Sequence, residues 1–366
     1  MIRRSCLTIA IAAAMLISSN VAKAEDHAAA APKHAYADAL LRIPGKPLRN
    51  FDIGAVDQVN HIYALSDRTN HGIDLIDVKT GSFIGRIGGF AGTSHGHVGP
   101  NGLVFADHGE LWAGDGDSKI KIINLLNRTV VAVVSTGGKG RVDEMAYDQK
   151  DHLVIAANDE DTPPFLTFIS DDVHHRVISR LTLEHATSGL EQPVWDPQRN
   201  LFYVAIPEID GDAKHGAIAV IDGVTRKLTR LIPVVKCMPG GMALGGNGHL
   251  VVGCSDDAVT AGFAPKSLIV NPRDGTITAT FHQVGGSDEV WYDGKRYYLA
   301  AVSNKGGPVV GIIDANSENW IANIPTGPHA HSVAADARTG KIFVPLTAGK
   351  SNKLCSSGCV AVYAQH

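Results

Sequence analysis

The chain has 366 residues, of which 33 are lysine or arginine and 37 are aspartate or glutamate, so its formal net charge is −4. The positive charges form no Lys/Arg-rich patch, which argues against a nucleic-acid partner. A chain of this length can still be one domain where an architecture grows by adding repeats rather than by enlarging a single core.

The chain begins with the pattern of a secretory signal peptide. Met1–Arg4 is basic, Leu7–Ile17 is an apolar core, and Ala22–Ala24 is a small-x-small cleavage signal. Residues 1–24 are too short to serve as a membrane span, so we expect them to be removed on export. The mature chain then has no membrane span and is periplasmic or secreted. Residues 25–36, rich in alanine and histidine, are predicted to be a disordered lead-in.

A short apolar strand that ends in aspartate recurs along the rest of the chain. The copies are Gly-Ala-Val-Asp57, Val-Phe-Ala-Asp107, Met-Ala-Tyr-Asp148, Pro-Val-Trp-Asp196, Val-Trp-Tyr-Asp293 and Val-Ala-Ala-Asp336, and a further copy, Met-Ala-Leu-Gly245, lacks the acid. In chain order they are 50, 41, 48, 49, 48 and 43 residues apart. The repeated acids are predicted to hold turns by hydrogen bonds.

Repeats of about 40–50 residues built from short strands are typical of β-propeller blades. We therefore predict an all-β fold, a single seven-bladed β-propeller over residues 37–366, with six blades as the alternative if the first repeat is misassigned. Residues 38–45 match the outer strand at residues 320–327, and the last repeat is one strand short. The N-terminal segment is thus predicted to complete blade seven, which removes open sheet edges. No stretch of the mature chain shows helical periodicity.

Three stretches carry a resemblance to a known family: Gly327-Pro-His-Ala-His-Ser-Val-Ala-Ala-Asp336, Gly340-Lys-Ile-Phe-Val344 and Gly114-Asp-Gly-Asp-Ser-Lys-Ile-Lys-Ile-Ile-Asn124. They resemble the YVTN-type (YncE-like) propellers and, more distantly, gluconolactonase-like propellers. The resemblance covers essentially the whole mature chain and implies the propeller fold. It does not fix the activity, because this group contains hydrolases, lyases and binding proteins.

Four cysteines remain once Cys6 leaves with the signal peptide. Cys237 and Cys254 bracket the two inner strands of blade five, and Cys355 and Cys359 flank a Ser-Ser-Gly turn. Two local disulfides are expected in an oxidising compartment. The alternative, a soft metal site, would need all four sulfurs together, and their positions in blades five and seven argue against it.

Two His-x-His pairs lie in loops that lead towards the propeller axis: His95 with His97, and His329 with His331. In an extended segment, residues two apart project to the same side, so either pair can offer both imidazoles to one ion. This pattern indicates a His-rich metal centre completed by acids from other blades. The alternative is a structural feature in which these histidines are hydrogen-bonded to neighbouring backbone.

Acidic residues occupy equivalent loop positions in several repeats. They are Asp52, Asp143, Glu144, Glu191, Asp288 and Glu289. Carboxylates around one narrow axis repel each other unless a cation or shared protons relieve them. The resemblance to gluconolactonase-like propellers likewise implies a divalent cation held by acidic and amide side chains. In the alternative interpretation, the acids are solvated and pair with Arg49, Arg68 and Arg141.

Metal ligands and catalytic groups can both be predicted by residue. The predicted metal ligands are His95, His97, His329, His331, Asp52 and Asp288, for a divalent ion that is Zn, Fe, Mn, Cu or Ca. The predicted catalytic groups, which would move a proton, are His331, Asp143, Glu144, Glu191 and Asp288.

Two classes of function fit these residues. One is a metal-dependent enzyme, a lactonase-type hydrolase or a lyase, that acts on a small organic molecule. The other is a non-catalytic propeller that binds a small-molecule ligand or a periplasmic protein at the same face. The chain has no Gly-x-Ser-x-Gly elbow, phosphate-binding glycine loop or haem-attachment motif, which disfavours nucleophilic-serine hydrolysis and nucleotide use. The acid- and His-rich axis favours the enzyme.

Overall fold

The computed structural model describes residues 37–93 and 97–364, and nearly all of the regular structure in these ranges is β-strand. The predicted signal peptide (residues 1–24), the predicted lead-in (25–36) and His95 lie outside the described residues. Within the described ranges, no helix is long and apolar enough to cross a membrane.

Seven four-stranded antiparallel sheets form the blades of a β-propeller, so the predicted fold is confirmed. Blades one to three contain β2 (Gly54–Asp57), β3 (Ile62–Asp67), β4 (Gly72–Asp77) and β5 (Phe83–Gly88); β6 (Leu103–Ala106), β7 (Glu110–Gly114), β8 (Lys119–Asn124) and β9 (Thr129–Ser135); and β10 (Met145–Asp148), β11 (Leu153–Asn158), β12 (Phe165–Ser170) and β13 (Val177–Thr182).

Blades four to six contain β14 (Glu191–Asp196), β15 (Leu201–Ile206), β16 (His215–Asp222) and β17 (Leu228–Val235); β18 (Pro239–Leu244), β19 (Leu250–Cys254), β20 (Ser267–Asn271) and β21 (Thr276–Phe281); and β22 (Ser287–Tyr292), β23 (Arg296–Ala301), β24 (Val309–Asp314) and β25 (Trp320–Pro325). Blade seven contains β26 (Ala334–Ala335), β27 (Lys341–Leu346), β28 (Cys359–Ala364) and β1 (Ala39–Leu41). The first strands of consecutive blades contact one another, which places them around the axis.

The propeller closes as the sequence predicts, with the N-terminal strand as the outer strand of blade seven. Strand β1 pairs antiparallel with β28, with Ala39 opposite Val362 and Leu41 opposite Val360. The pairing is shorter than the predicted segment 38–45, because regular strand structure ends at Leu41. With β1 added, blade seven has four paired strands like the other blades, so β28 is not left as an open sheet edge.

Both predicted disulfides are present. The S–S distance is 2.08 Å for Cys237–Cys254 and 1.97 Å for Cys355–Cys359. The first joins Cys237, two residues before β18, to the end of β19, and the second ties the start of β28 to its preceding turn. The sulfurs are paired in two separate blades, so a four-cysteine metal site is excluded.

Apolar packing between neighbouring blades forms the core. Phe168 of blade three meets Phe202 of blade four, for example, with ring centroids 6.3 Å apart. Trp291 of blade six packs against the apolar clusters that join blades six and seven, seven and one, and one and two. It also lines a cavity of about 520 Å³ beside the turns that follow the first strands of blades one and two. Trp291 therefore fills space across the axis as well as between blades.

One short helix, α1 (Asp256–Thr260), departs from the expected absence of helical structure. The helix begins after Ser255, whose hydroxyl accepts a hydrogen bond from the Ala258 N–H at 3.4 Å, as serine does at helix N-termini. It lies in blade five between β19 and β20. At five residues it is too short for a periodic apolar pattern to reveal it.

The repeated acids mostly hold turns, as predicted. Oδ1 of Asp57 accepts hydrogen bonds from the backbone N–H groups of Val59 (2.8 Å) and Asn60 (3.0 Å). Asp148, Asp196, Asp293 and Asp336 accept backbone N–H groups from their own turns in the same manner. These bonds satisfy donors that the hairpin turn would otherwise leave unpaired.

Asp107 is the exception, because blade two is out of register by one residue. Asp57 pairs with Ile62, the first residue of the next strand, whereas in blade two Ala106 pairs with Glu110. Ala106 therefore takes the place of the anchor acid, and Asp107 falls in the 3-10 turn Asp107–Gly109. Its side chain faces the neighbouring blade, where Oδ2 lies 3.3 Å from Nδ1 of His152.

Candidate functional site

One cavity lies where the loops that lead into the innermost strands meet around the axis. Its volume is about 330 Å³. It is lined by Asp52, Ile53, Arg68, Arg141, Asp143, Glu144, Glu191, Asp256, Asp257, Asp288, Val302, His329 and His331. We call this cavity the channel mouth. It gathers all of the predicted catalytic residues, together with the predicted metal ligands Asp52 and His329.

Repeated backbone geometry places the acids of different blades at similar heights. The Asp143 N–H donates to the carbonyl of Ala157 in the second strand at 2.8 Å. In blade one, the Asp52 N–H donates to the carbonyl of Ser66 in the same way, at 2.9 Å. Equivalent positions in a closed ring of blades converge on the axis.

Blade five contributes no acid at these positions because its backbone lies too close to blade six. Gly240 and Gly241 occupy the places of Asp288 and Glu289 in the aligned strand registers. A Cβ on Gly241 would lie 2.6 Å from the Cα of Glu289, which no real side chain tolerates. Glycine permits this close approach, and the ring of acids is interrupted there.

Carboxyl groups outnumber basic groups at the channel mouth. Among the described residues that line it, seven carry a carboxyl group, whereas Arg68 and Arg141 carry guanidinium groups. Nη2 of Arg141 lies 2.7 Å from Oδ2 of Asp143 and 2.7 Å from Oδ2 of Asp159. Arg68 donates a short hydrogen bond to Asp52. The two guanidinium groups therefore neutralise only part of the acidic charge.

Burial makes several of these acids hard to ionise. It raises the pKa of Asp143 well above its usual range, although Arg141 opposes the shift. Burial, with the charges of surrounding acids, raises the pKa values of Glu144 and Glu191 in the same direction. Burial also raises the pKa of Asp288 to about 6 and that of Glu289 to about 8. Such groups hold protons that they can transfer, or lose when a cation binds.

Asp52 and His331 form the opposite case, a pair that favours its charged state. Burial acts to raise the pKa of Asp52, but the Arg68 guanidinium and the nearby His331 imidazole outweigh it and lower the pKa. Burial acts to lower the pKa of His331, but Asp52 and Asp288 outweigh it and raise the pKa. Nε2 of His331 lies 3.6 Å from Oδ1 of Asp52, and its ring stacks on Phe51 at 4.7 Å.

One described histidine of each His-x-His pair is hydrogen-bonded to backbone. Nδ1 of His331 donates to the carbonyl of His329 at 3.0 Å, and Nδ1 of His97 donates to the carbonyl of Gly116 at 2.8 Å. His97 does not line the channel mouth, and His95 lies outside the described residues. The structure thus brings His329 and His331 to the acids but not His97. One nitrogen of His331, Nε2, remains directed at the cavity.

Groups of ligand atoms already close enough for one ion lie elsewhere. Among the described residues, two groups have one candidate ligand atom per residue, all within 4.8 Å of one another: Asp107, His152 and Asp171, and Glu110, Asp171 and His175. We call these five residues the hairpin cluster. The acids of the channel mouth do not form such a group in the described part of the chain. An acidic and histidine cluster that can hold a metal is therefore present, but its residues are not those that the sequence predicts.

Similarity to known proteins supports the propeller fold only. No model of a known protein family matches this chain, and no curated protein matches it. Hydrazine synthase from Kuenenia stuttgartiensis is similar in structure, with a TM-score of 0.69 and 11% identity over 90% of this chain and 99% of that chain. A chain of the mitotic checkpoint complex is similar too, with a TM-score of 0.69 and 12% identity over 98% of this chain and 100% of that one.

At these identities the likenesses show the fold alone. Fold and site together define the class: a seven-bladed β-propeller with a strongly acidic channel mouth.

Proposed function

We propose that the channel mouth binds a small organic molecule together with a divalent cation, and that the protein is a metal-dependent hydrolase of the lactonase type or a lyase. The observation that carries this proposal is the concentration of seven carboxyl groups against two guanidinium groups around one cavity of about 330 Å³. Carboxylates this close together repel one another, most of all where they are buried, as Asp52, Asp143 and Glu144 are, and a cation offsets that cost.

The donor atoms of the channel mouth suit a hard or borderline cation. Asp143, Glu191 and Asp288 offer carboxylate oxygens, and His331 offers Nε2. The side chains must move closer together to share one ion, since their ligand atoms are not yet gathered in the described structure. When bound, such a cation would polarise a substrate carbonyl.

Proton transfer is the task that this chain's own residues support best. Asp288, with a pKa raised by burial to about 6, can exchange a proton near neutral pH. His331 presents Nε2 to the same cavity while its Nδ1 is fixed on the carbonyl of His329. A fixed imidazole beside a carboxyl group of raised pKa is an arrangement suited to general acid–base catalysis.

A second candidate function is a non-catalytic propeller that binds a ligand or a protein at the same mouth. It is favoured by the ion pairs of Arg68 with Asp52 and of Arg141 with Asp143 and Asp159, which already satisfy part of the acidic charge. One structural neighbour is a chain of a protein complex, and propellers serve widely as binding platforms.

We further infer that the chain is exported to the periplasm or beyond and is a YVTN-type propeller. The basic start, apolar core and small-x-small signal within residues 1–24 support export. The two disulfides support it too, because disulfides persist in oxidising compartments. N-terminal sequencing tests the inference: protein recovered outside the cytosol should begin near residue 25, and recovery in the cytosol with Met1 in place would overturn it.

The functional proposal is tested by titrating Mn²⁺ and Ca²⁺ into metal-free full-length protein and by assaying a panel of lactones. The double variant Glu191→Gln/Asp288→Asn should weaken cation binding at least tenfold and abolish turnover, because it removes two charged donors of one site. Asp151→Asn, an exposed acid away from the cavity, is the matched control and should change neither.

Three outcomes separate the candidates. Loss of both binding and turnover in the double variant supports the enzyme. Loss of binding with no turnover in the wild type supports the non-catalytic propeller. Cation binding that is unchanged in the double variant but weakened by Asp171→Asn would place the ion in the hairpin cluster and overturn the proposal for the channel mouth.

A further inference from the structure

The hairpin cluster lies at the end of the blades opposite the channel mouth. Its residues come from turns between the first and second strands and between the third and fourth strands of blades two and three. Glu110 begins β7, His152 immediately precedes β11, and Asp171 immediately follows β12. Antiparallel strands place all of these hairpin turns at one end, whereas the loops of the channel mouth lie at the other.

Asp171 is the member that both groups share, and it is almost fully buried, at 2% exposure. Its Oδ2 accepts a hydrogen bond from the Tyr147 hydroxyl at 2.7 Å. Its Oδ1 is buried and has no hydrogen-bond partner among the described residues. A buried carboxylate oxygen without a partner is costly, which points to a ligand that the oxygen would contact.

Glu110 and His175 face each other beside Asp171 in a largely enclosed place. Nε2 of His175 lies 3.1 Å from Oε2 of Glu110, with side-chain exposures of 10% and 12%. Nε1 of Trp112 also donates to that oxygen at 3.1 Å, and the Trp112 ring meets the His175 ring edge-on. The Trp112 indole thus contacts both the Glu110 carboxylate and the His175 imidazole and helps to hold them in position.

No lysine or arginine is among the contacts of the three cluster acids in the described part of the chain: Asp107 meets His152, Glu110 meets His175 and Trp112, and Asp171 meets Tyr147. This differs from the channel mouth, where arginines pair with the acids. Three carboxyl groups and two imidazoles without lysine or arginine form a mixed nitrogen and oxygen donor set, the kind that binds Zn²⁺ and similar divalent ions.

We propose that Glu110, Asp171 and His175 bind one divalent transition-metal ion of the zinc class, which joins blade two to blade three. Glu110 and His175 are the better enclosed pair, so they and Asp171 supply the ligands. Asp107 and His152 lie at the exposed rim, with side-chain exposures of 43% and 56%. This site is independent of the function proposed for the channel mouth.

The test is a zinc titration of the full-length, metal-free protein with a competing chromophoric chelator. Asp171→Asn and His175→Gln should each weaken Zn²⁺ binding at least tenfold, because each removes a direct ligand. His174→Gln is the matched control, since His174 is an exposed imidazole one residue away, and it should stay within twofold of the wild type. Asp288→Asn, in the channel mouth, should keep the zinc binding that Asp171→Asn and His175→Gln lose, because it leaves the hairpin cluster intact.

A second measurement protects the test against misfolding. Saturating Zn²⁺ should raise the melting temperature of the wild type and of His174→Gln, and should not raise that of His175→Gln, whose side chain is replaced by one of similar size. Zinc affinity and zinc-dependent melting that are unchanged in both His175→Gln and Asp171→Asn would overturn the proposal. So would zinc binding that Asp288→Asn removes and these variants keep.

Discussion

The channel mouth and the hairpin cluster both concentrate acids and histidines, but they are assembled in different ways. The channel mouth takes its acids from equivalent positions of separate blades, as the matching backbone bonds of Asp52 and Asp143 show. Arginines are interleaved with those acids, and Arg141 contacts both Asp143 and Asp159. Its ligand atoms remain spread around a cavity.

The residues of the hairpin cluster come from non-equivalent positions in two adjacent blades. Glu110 begins a strand and Asp171 immediately follows one. Asp107, His152 and His175 lie in hairpin turns. The ligand atoms are already within 4.8 Å in each group. Repeat symmetry therefore gathers charge around the axis, where the charge must be spread or neutralised. In this protein the tight ligand groups lie where the symmetry between neighbouring blades is broken.

Removing an interleaved arginine should give the largest effect on stability. Arg141→Ala leaves Asp143 and Asp159, which are 5% and 7% exposed, without their shared guanidinium partner. We expect a loss of about 3 kcal/mol in the free energy of unfolding at pH 7, towards the low end for a broken buried ion pair because Arg141 is partly exposed. Urea denaturation measures it.

Arg176→Ala is the control for this comparison. Arg176 pairs with Asp172 on the surface, with side-chain exposures of 70% and 42%, so its loss should cost well under ~1 kcal/mol. Equal losses in the two variants would show that the acids of the channel mouth do not depend on interleaved arginine. The loss in Arg141→Ala should shrink at acidic pH, where protonated carboxyl groups no longer need a cation.

Glu289 should make the stability of the channel mouth depend on pH. Burial raises its pKa from 4.5 to about 8, so the folded protein keeps a proton that the unfolded chain releases. Its stabilising contribution is therefore complete below about pH 4.5 and is lost as the pH rises to about 8. Glu289→Gln cannot ionise and keeps an acceptor for the Val333 N–H, which lies 3.0 Å from Oε2 of Glu289.

Relative to the wild type, Glu289→Gln should thus gain more than ~1 kcal/mol in the free energy of unfolding as the pH rises from 5 to 8.5. Urea denaturation at several pH values measures the gain. Glu184→Gln, at an exposed acid, should show no such change and serves as the control. A pH profile in Glu289→Gln that parallels the wild type would contradict the raised pKa. Zinc affinity at the hairpin cluster should be the same in both proteins.

The sequence predicts the fold and the channel mouth because both follow from repetition. The recurring strand and acid identify seven blades, and equivalent acids such as Asp143 and Asp288 converge once the blades close into a ring. The sequence also predicts that His97 joins His329 and His331 in one metal site, but His97 does not line the channel mouth. The repeat shows that His97 lies in a loop, but it does not show the path of the loop backbone. His97 instead donates to the carbonyl of Gly116.

The hairpin cluster could not be predicted from the repeat. Asp107 reads as one more anchor acid, and only the strand pairing shows that Ala106 takes the anchor position. Spacing does not reveal the shift, because blade six has an equally short interval from Asp293 to Arg296 and keeps its anchor in register. The cluster depends on contacts between side chains of adjacent blades, and the repeat pattern in the sequence carries no information about those contacts.

The smallest expected effects distinguish an anchor acid in register from the one that is displaced. In Asp57→Ala, the backbone N–H groups of Val59 and Asn60 lose their acceptor, which should cost about 1–2 kcal/mol of unfolding free energy. In Asp107→Ala, an exposed side chain that contacts His152 at 3.3 Å is lost, which should cost less than ~0.5 kcal/mol in metal-free protein.

Urea denaturation of the two variants in the presence of a chelator measures this difference. Asp57 and Asp107 look alike in the sequence, since each ends a short apolar strand, so similar losses would mean that both hold their turns. A larger loss for Asp57→Ala supports the register shift, because only an acid at the paired end of the strand can accept the backbone N–H groups of the turn. The displaced acid is then free to contribute charge at the rim of the hairpin cluster.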